Sequence, residues 1–252
     1  MSTVLVPEIV TPPPGLLAHC GARFTGRQEL RALVTPPGTA THRPIPHAEV
    51  VEALIETLGF RKLNVVSDRY AIAKEGNRMF GVLQVDVEES GARFSIGIRN
   101  AHDKSFALAL TVGYTVLVCD NMCFSGDFCP VLRKHSKNLN VQDVLSVAVD
   151  QMHRSFEPMA RRINAWANHS LTDDAARLII YRAFIERDGI AIPRHLGPLI
   201  HQEYFEPTYD DFRPRTLRSL EAAFTQVFKQ LEPVPQFQAT AALGGYLQQF
   251  SA

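Results

Sequence analysis

The sequence predicts an α+β fold: an antiparallel four-stranded meander packed against helices, with a helical C-terminal part. Three observations predict it. The apolar period is helical over His47–Phe60, changes to two between positions 70 and 119, and is helical again from about 140 onward. Within the period-two region the turn signals EGN, EESG and NAHDK recur at the close spacing of hairpins. Strand-like runs come together and helix-like runs come together, where an α/β protein would alternate them.

The elements follow in order. Residues 1–46 carry Pro12-Pro13-Pro14, Pro36-Pro37-Gly38 and Pro44-Ile45-Pro46 and read as an extended arm wrapped over the body. Inside it FTGRQELRALV suggests a short helix with Thr25 as N-cap. HAEVVEALIETLGF is a helix by the spacing of Val50, Val51, Leu54, Ile55 and Leu58, with Gly59 as its stop. Four strand-like runs follow, up to VLVC. From Asn140 a long helix begins, in which Pro158 predicts a kink. SLTDDAARLIIYRAFIERDG, capped by Thr172 or Asp173, and PRTLRSLEAAFTQVFKQL are further helices, and PVPQFQ introduces a tail. Three segments result: the arm 1–46, an α+β core 47–170, and a helical part 171–252 packed on it as one compact unit.

Composition bounds the function. The chain has 252 residues, with 26 basic and 26 acidic side chains and a net charge of zero. A nucleic-acid or membrane role must therefore rest on a local patch. The N-terminus shows no signal-peptide pattern, and the apolar stretches break well short of the roughly 20 residues that cross a bilayer. The expectation is a cytoplasmic protein without membrane contact, its four cysteines reduced.

The stretch VLVCDNMCFSGDFCP holds Cys119, Cys123 and Cys129. Zinc sites pair cysteines roughly two to four residues apart and add a second pair. Here the second pair is missing, and His102 or His135 would have to complete the set. Neither a metal nor another cofactor is assigned, and Cys119 reads as a small apolar residue ending a strand. A cysteine nucleophile needs a base, and nothing ties His102 or His135 to a particular thiol. His102, Asp103 and Ser105 lie too close in sequence for a triad, which a fold assembles from distant segments. They read as turn chemistry, with Asp103 capping local amides. No catalytic residue is assigned.

FGVLQV, GIRNAHDKS and VLVCDNMCFSGD resemble the phage/plasmid-like protein family, domain of unknown function 932. That family carries a GxRNSHDKS-like segment followed by a strand ending V-C-x-N. The resemblance places its motif on Asn100, His102, Asp103, Ser105, Cys119 and Asn121, with Ala101 standing where many members have Ser. Cys123 and Cys129 match nothing in the pattern. PRTLRSLEAAFTQV resembles the family's W-x-x-x-N-A-x-T-E helix, with Arg218 and Ala222 near the Trp and Asn. The likeness covers roughly residues 60–250 and implies a gene of plasmids, phages or integrated elements, with no stated biochemistry.

Basic side chains fall in three groups: Arg133, Lys134 and Lys137; Arg154, Arg161 and Arg162; Arg213, Arg215 and Arg218. Convergence of these groups would form a phosphate-binding stripe, with Phe124 or Phe128 to stack bases, and the first two groups are the candidate nucleic-acid-binding residues. The competing reading of such runs is a solvated face. Trp166 reads as a core anchor. Three function classes follow. The first is a non-enzymatic binder of nucleic acid, single-stranded DNA above all, acting in recombination or establishment of a mobile element. The second is a module that inhibits a host defence protein through a patch such as EPTYDDF. The third is a metal-assisted enzyme using His102, Asp103, Cys119 and Asn121. GIRN and VLVC should occupy neighbouring strands, with Asn100, Asp103 and Asn121 at one edge.

Overall fold

The structure, a computed structural model, describes residues 22–89, 91–116, 122–124, 131–136, 139–185, 190–231 and 233–251. It begins with a short strand, β1 (Arg23–Thr25), and a short helix, α1 (Arg27–Ala32). The helix is preceded by Gly26 as its cap, in place of the expected Thr25. Thr25 sits in β1, and its hydroxyl donates to Glu29 Oε2 at 2.7 Å, reaching the first turn from outside it. Helix α2 (His47–Phe60) buries Val50, Val51, Leu54 and Leu58, the spacing the sequence displays. Its stop lies beyond Gly59. Lys62, at φ 59°, closes the helix, with Lys62 N–H bonding Gly59 O at 2.9 Å and Leu63 N–H bonding Leu58 O at 3.0 Å.

The period-two region forms four long strands, β2 (Val65–Ala73), β3 (Arg78–Glu89), β4 (Ala92–Ala101) and β5 (Leu108–Val116). Two short strands, β6 (Met122–Phe124) and β7 (Val131–Arg133), both pair with β5, and β1 pairs with β2. All pairs are antiparallel, and the sheet has seven strands among the described residues. The expected four-stranded count is too low. The three additional strands are three residues each, too short to show alternation in sequence.

One sheet face carries Ile72, Met79, Ile96 and Leu110 against α2 and against helix α3 (Val141–Asn168), forming the main core. Asn140 caps α3 by accepting from Gln142 N–H at 3.1 Å. The helix continues through Pro158 as one 28-residue element. Its apolar stripe leaves the first core at Ile163 and enters a second at Trp166, which is 1% exposed. That second core belongs to α4 (Asp173–Ile185), α5 (Leu196–Phe205), α6 (Leu217–Phe228) and α7 (Pro233–Gln248). Thr172 Oγ1 accepts from Ala175 N–H at 3.2 Å at the start of α4. The tail expected at PVPQFQ is instead the first turn of α7. Proline suits that place, because first-turn N–H groups have no intrahelical partner to lose.

The antiparallel register decides which motif residues meet. GIRN lies on β4 and pairs with β5, as expected, with Arg99 opposite Ala109. Val116, however, stands opposite Ala92, and Met122 opposite Thr115. The described residues flanking 117–121 are thus at the far end of β4 from Asn100. Cys119, Asn121, Cys129 and Lys137 themselves lie outside the described residues.

Candidate functional site

The end of the sheet where the HDKS corner lies gathers segments from across the chain. The β2–β3 turn, the β4–β5 corner and the end of β7 all emerge there. The register fixes this: Ala73 pairs with Arg78, Arg78 with Ala101, and Leu108 with Arg133. A strap, residues 39–46, crosses the same end and is fastened by an isolated bridge between His42 and Ser136.

Four histidines gather beneath the strap. His42 places Nδ1 at 2.9 Å from His135 O and Nε2 at 3.2 Å from His102 O. Ile45 O accepts from Asn100 Nδ2 at 3.0 Å and faces His102 Nε2 at 2.9 Å. His47 Nε2 lies 2.9 Å from Gly76 O, and His47 Nδ1 lies 2.8 Å from Asn100 Nδ2. An amide N–H donates to Nδ1 and a carbonyl needs a donor at Nε2, so His47 is the neutral Nε2–H tautomer. The rings of His47 and His102 stack at 3.9 Å, and those of His42 and His135 at 5.6 Å.

This stack favours neutral imidazole. Burial, then the adjacent His102, pushes His47 down to about 3. Burial, then His42 and His102, pushes His135 down to about 4. His102 is lowered as well, chiefly by burial. Among the described residues no three His, Cys, Asp or Glu side chains are placed to share a metal ion. The chemistry this seam performs is fastening: Asn100 and His102, both from the family motif, tie the strap to β4.

Asp103 and Ser105 serve the corner itself. Asp103 Oδ1 accepts from Ser105 N–H at 3.0 Å, and Oδ2 accepts from Arg78 Nε at 2.8 Å. The Ser105 amide and the Arg78 guanidinium hold this carboxyl below its ordinary range against the burial that raises it. His102 points to Ile45 O, away from any relay through Asp103 and Ser105.

Cations surround the seam. Arg43, Lys74, Lys104, Arg133 and Lys134 are exposed at this sheet end, and Arg78 is half-buried. The acids among them are Glu49, Glu75 and Asp103, the last taken by Arg78. On the outer sheet face beside the corner, the Arg99 guanidinium lies 5.3 Å from the Phe106 ring centre, and Phe106 lies 5.3 Å from Phe80. A cleft of about 350 Å³ opens along the strap between Arg43, Ile45, Glu49, Ser136 and Asn140.

Of the cations singled out in the sequence, Arg133 and Lys134 join this rim. Arg154 and Arg161 lie elsewhere, on the outward stripe of α3 and interleaved with Asp150 and Glu157. Arg154 Nε donates to Asp150 O at 3.2 Å, and Arg161 pairs with Glu157 at 3.2 Å. Arg154 is 13 residues into α3, about 20 Å along its axis from the rim end. Arg162 lies over Trp166 at 5.3 Å and against Gly244. Arg43, Lys74 and Lys104 escaped sequence reading because each is a lone basic residue in its own segment, with Lys74 and Lys104 each beside an acid.

At the opposite end Arg218 and Glu221 of α6 meet Tyr114 of β5, all three buried. Arg218 pairs with Glu221, which also accepts from Tyr114 Oη, and the guanidinium lies 5.0 Å from the Tyr114 ring centre. Arg218 and Ala222 thus fill interior positions where the resembling helix has Trp and Asn.

These features define an α+β protein whose antiparallel sheet ends in a histidine-fastened strap under a rim of cations. Residues 40–191, more than half of the chain, match the family described as Domain of unknown function (DUF932), and the chain belongs to that family. The match contains the strap from residue 40 onward and all four seam histidines. It ends before α5, so PRTLRSLEAAFTQV falls outside it. No curated protein and no solved structure matches the chain.

Proposed function

We propose that this protein binds nucleic acid, single-stranded DNA above all, at the strap end of its sheet. The observation that carries the reading is convergence: Arg43, Lys74, Lys104, Arg133 and Lys134 come from four separate segments to one sheet end, in a chain of zero net charge. The Arg99–Phe106 pair beside them offers a base an aromatic face. The cellular setting proposed with it is the cytoplasm, in recombination or establishment of a phage, plasmid or integrated element. No described helix is long and apolar enough to cross a membrane.

Fluorescence anisotropy with single- and double-stranded oligonucleotides over a salt series tests the reading. Each phosphate neutralised on a single strand contributes about −0.7 to the log–log slope, so four contacts give roughly −3. Changing Arg133 and Lys134 together to Ala should flatten the slope by about 1 to 1.5, with the circular dichroism spectrum retained. No binding to either strand form at low salt would remove the proposal.

A second reading, a module that binds and inhibits a host defence protein, has its own observation. Leu178, Tyr181 and Ile185 recur at helical spacing on α4 and are 55%, 56% and 47% exposed. The EPTYDDF segment suits that role less well, since Tyr209 and Phe212 pack against the main core.

A further inference from the structure

Four described non-glycine residues have positive φ: Lys62, Lys74, Glu75 and Lys104. A side chain there crowds the backbone, and Gly or Asn is the usual occupant. Lys62 has a local reason, as the residue that closes α2. Glu75 has one too, since with Gly76 it forms the centre of the β2–β3 turn that Asn77 N–H closes on Lys74 O at 3.0 Å; Lys74 and Lys104 sit at two neighbouring corners of one sheet end. Lys74 (φ 51°) and Glu75 (φ 55°) precede Gly76 (φ 84°) in the β2–β3 turn, and Lys104 (φ 62°) occupies the β4–β5 corner. Both lysines are exposed, and neither Nζ makes an ion pair or hydrogen bond among the described residues. The two lysine side chains therefore occupy strained turn positions without contributing an ion pair or hydrogen bond to the fold.

We propose that Lys74 and Lys104 are phosphate anchors, and that a linear polyanion runs along the sheet end, across the strands. This rests on the nucleic-acid reading above and names the contacts and the direction of the bound strand. The order of elements supports it: Lys74 lies between β2 and β3, Lys104 between β4 and β5, and Arg133 and Lys134 at the end of β7 beyond β5. With neighbouring strands about 4.8 Å apart, the cations form a row roughly 20 Å long. A row of that shape matches the backbone of one extended nucleic-acid strand, whose phosphates pass in series. Phe106, close to the row on the outer face, is placed to stack a base from the same strand.

The discriminating variants are Lys74→Gly and Lys104→Gly in the full chain, with Lys74→Arg and Lys104→Arg as controls. Glycine relieves the backbone while removing the charge, so stability and binding should move in opposite directions. Each glycine variant should raise Tm by about 2 to 4 °C. Each should flatten the salt slope for a mixed-sequence single-stranded oligonucleotide by about 0.7 and weaken binding severalfold. The arginine variants should keep the wild-type slope. Wild-type binding with unchanged slopes in both glycine variants would overturn the anchors and leave the nucleic-acid reading standing. A wild-type chain that binds no oligonucleotide would overturn both. Lower Tm together with a flatter slope would make the lysines structural and overturn the proposal.

Discussion

Acid should loosen this protein through its histidine seam. His47 titrates in the folded chain at about 3 and His135 at about 4, against about 6.5 in an unfolded chain. A histidine whose folded value is lowered binds its proton more readily when unfolded. Its stabilisation is therefore complete above pH 6.5 and is lost as pH falls toward the folded value. At pH 5 each of these two groups has removed about 2 kcal/mol, together about 4 kcal/mol. That is a large share of a typical total stability of about 5 to 15 kcal/mol. His102, lowered in the same direction, steepens the fall. Carboxylates held low by partners, such as Asp103 and Asp86, enter only at more acid pH. The assay is urea unfolding followed by circular dichroism at intervals from pH 7.5 to 5, for the wild type and for His47→Gln. Gln keeps a donor toward Gly76 O but does not titrate, so the variant should start less stable and lose about 2 kcal/mol less by pH 5. A wild-type stability that is flat from pH 6.5 to 5, or a His47→Gln slope equal to the wild type's, would refute the neutral stack.

Two further outcomes test the packing. Arg218→Met takes a buried guanidinium from Glu221 and should destabilise by about 3 to 5 kcal/mol in urea unfolding, whereas Tyr114→Phe, which removes one hydroxyl from the same cluster, should lose about 1 to 2 kcal/mol. Gly81→Ala would place a Cβ 2.7 Å from Tyr70 Cδ1 and 2.9 Å from Ile98 Cγ2, so scanning calorimetry should show a lower Tm and a loss of about 1 to 3 kcal/mol.

Much of the fold was legible in the chain, because period and capping are local. Val50, Val51, Leu54 and Leu58 are spaced for α2, and they are buried there. Asn140 and Thr172 are short polar residues before apolar helices, and their side-chain oxygens accept first-turn N–H groups. The three-residue strands were beyond such reading, and so was α7, where two prolines suggested an end and formed a beginning. The site was legible only in part. NAHDKS drew notice as a motif, but its histidine reads like any turn histidine until Ile45 O is brought to its ring.

By itself the sequence determined the order helix, sheet, helices, the antiparallel character of the sheet, the helical C-terminal part and the zero net charge. Each of these depends on residues within a few positions of one another, or on a sum over the chain. Only the tertiary structure decided that His42 and His135, 93 positions apart, share a hydrogen bond, and that Lys74, Lys104 and Arg133 come to one sheet end. It also decided that Arg154 and Arg161 lie among acids on α3, away from that sheet end. The physical reason is register. Pairing Arg78 with Ala101 and Leu108 with Arg133 brings separate turns to one sheet end, and a shift of one residue would send every side chain of a strand to the other face.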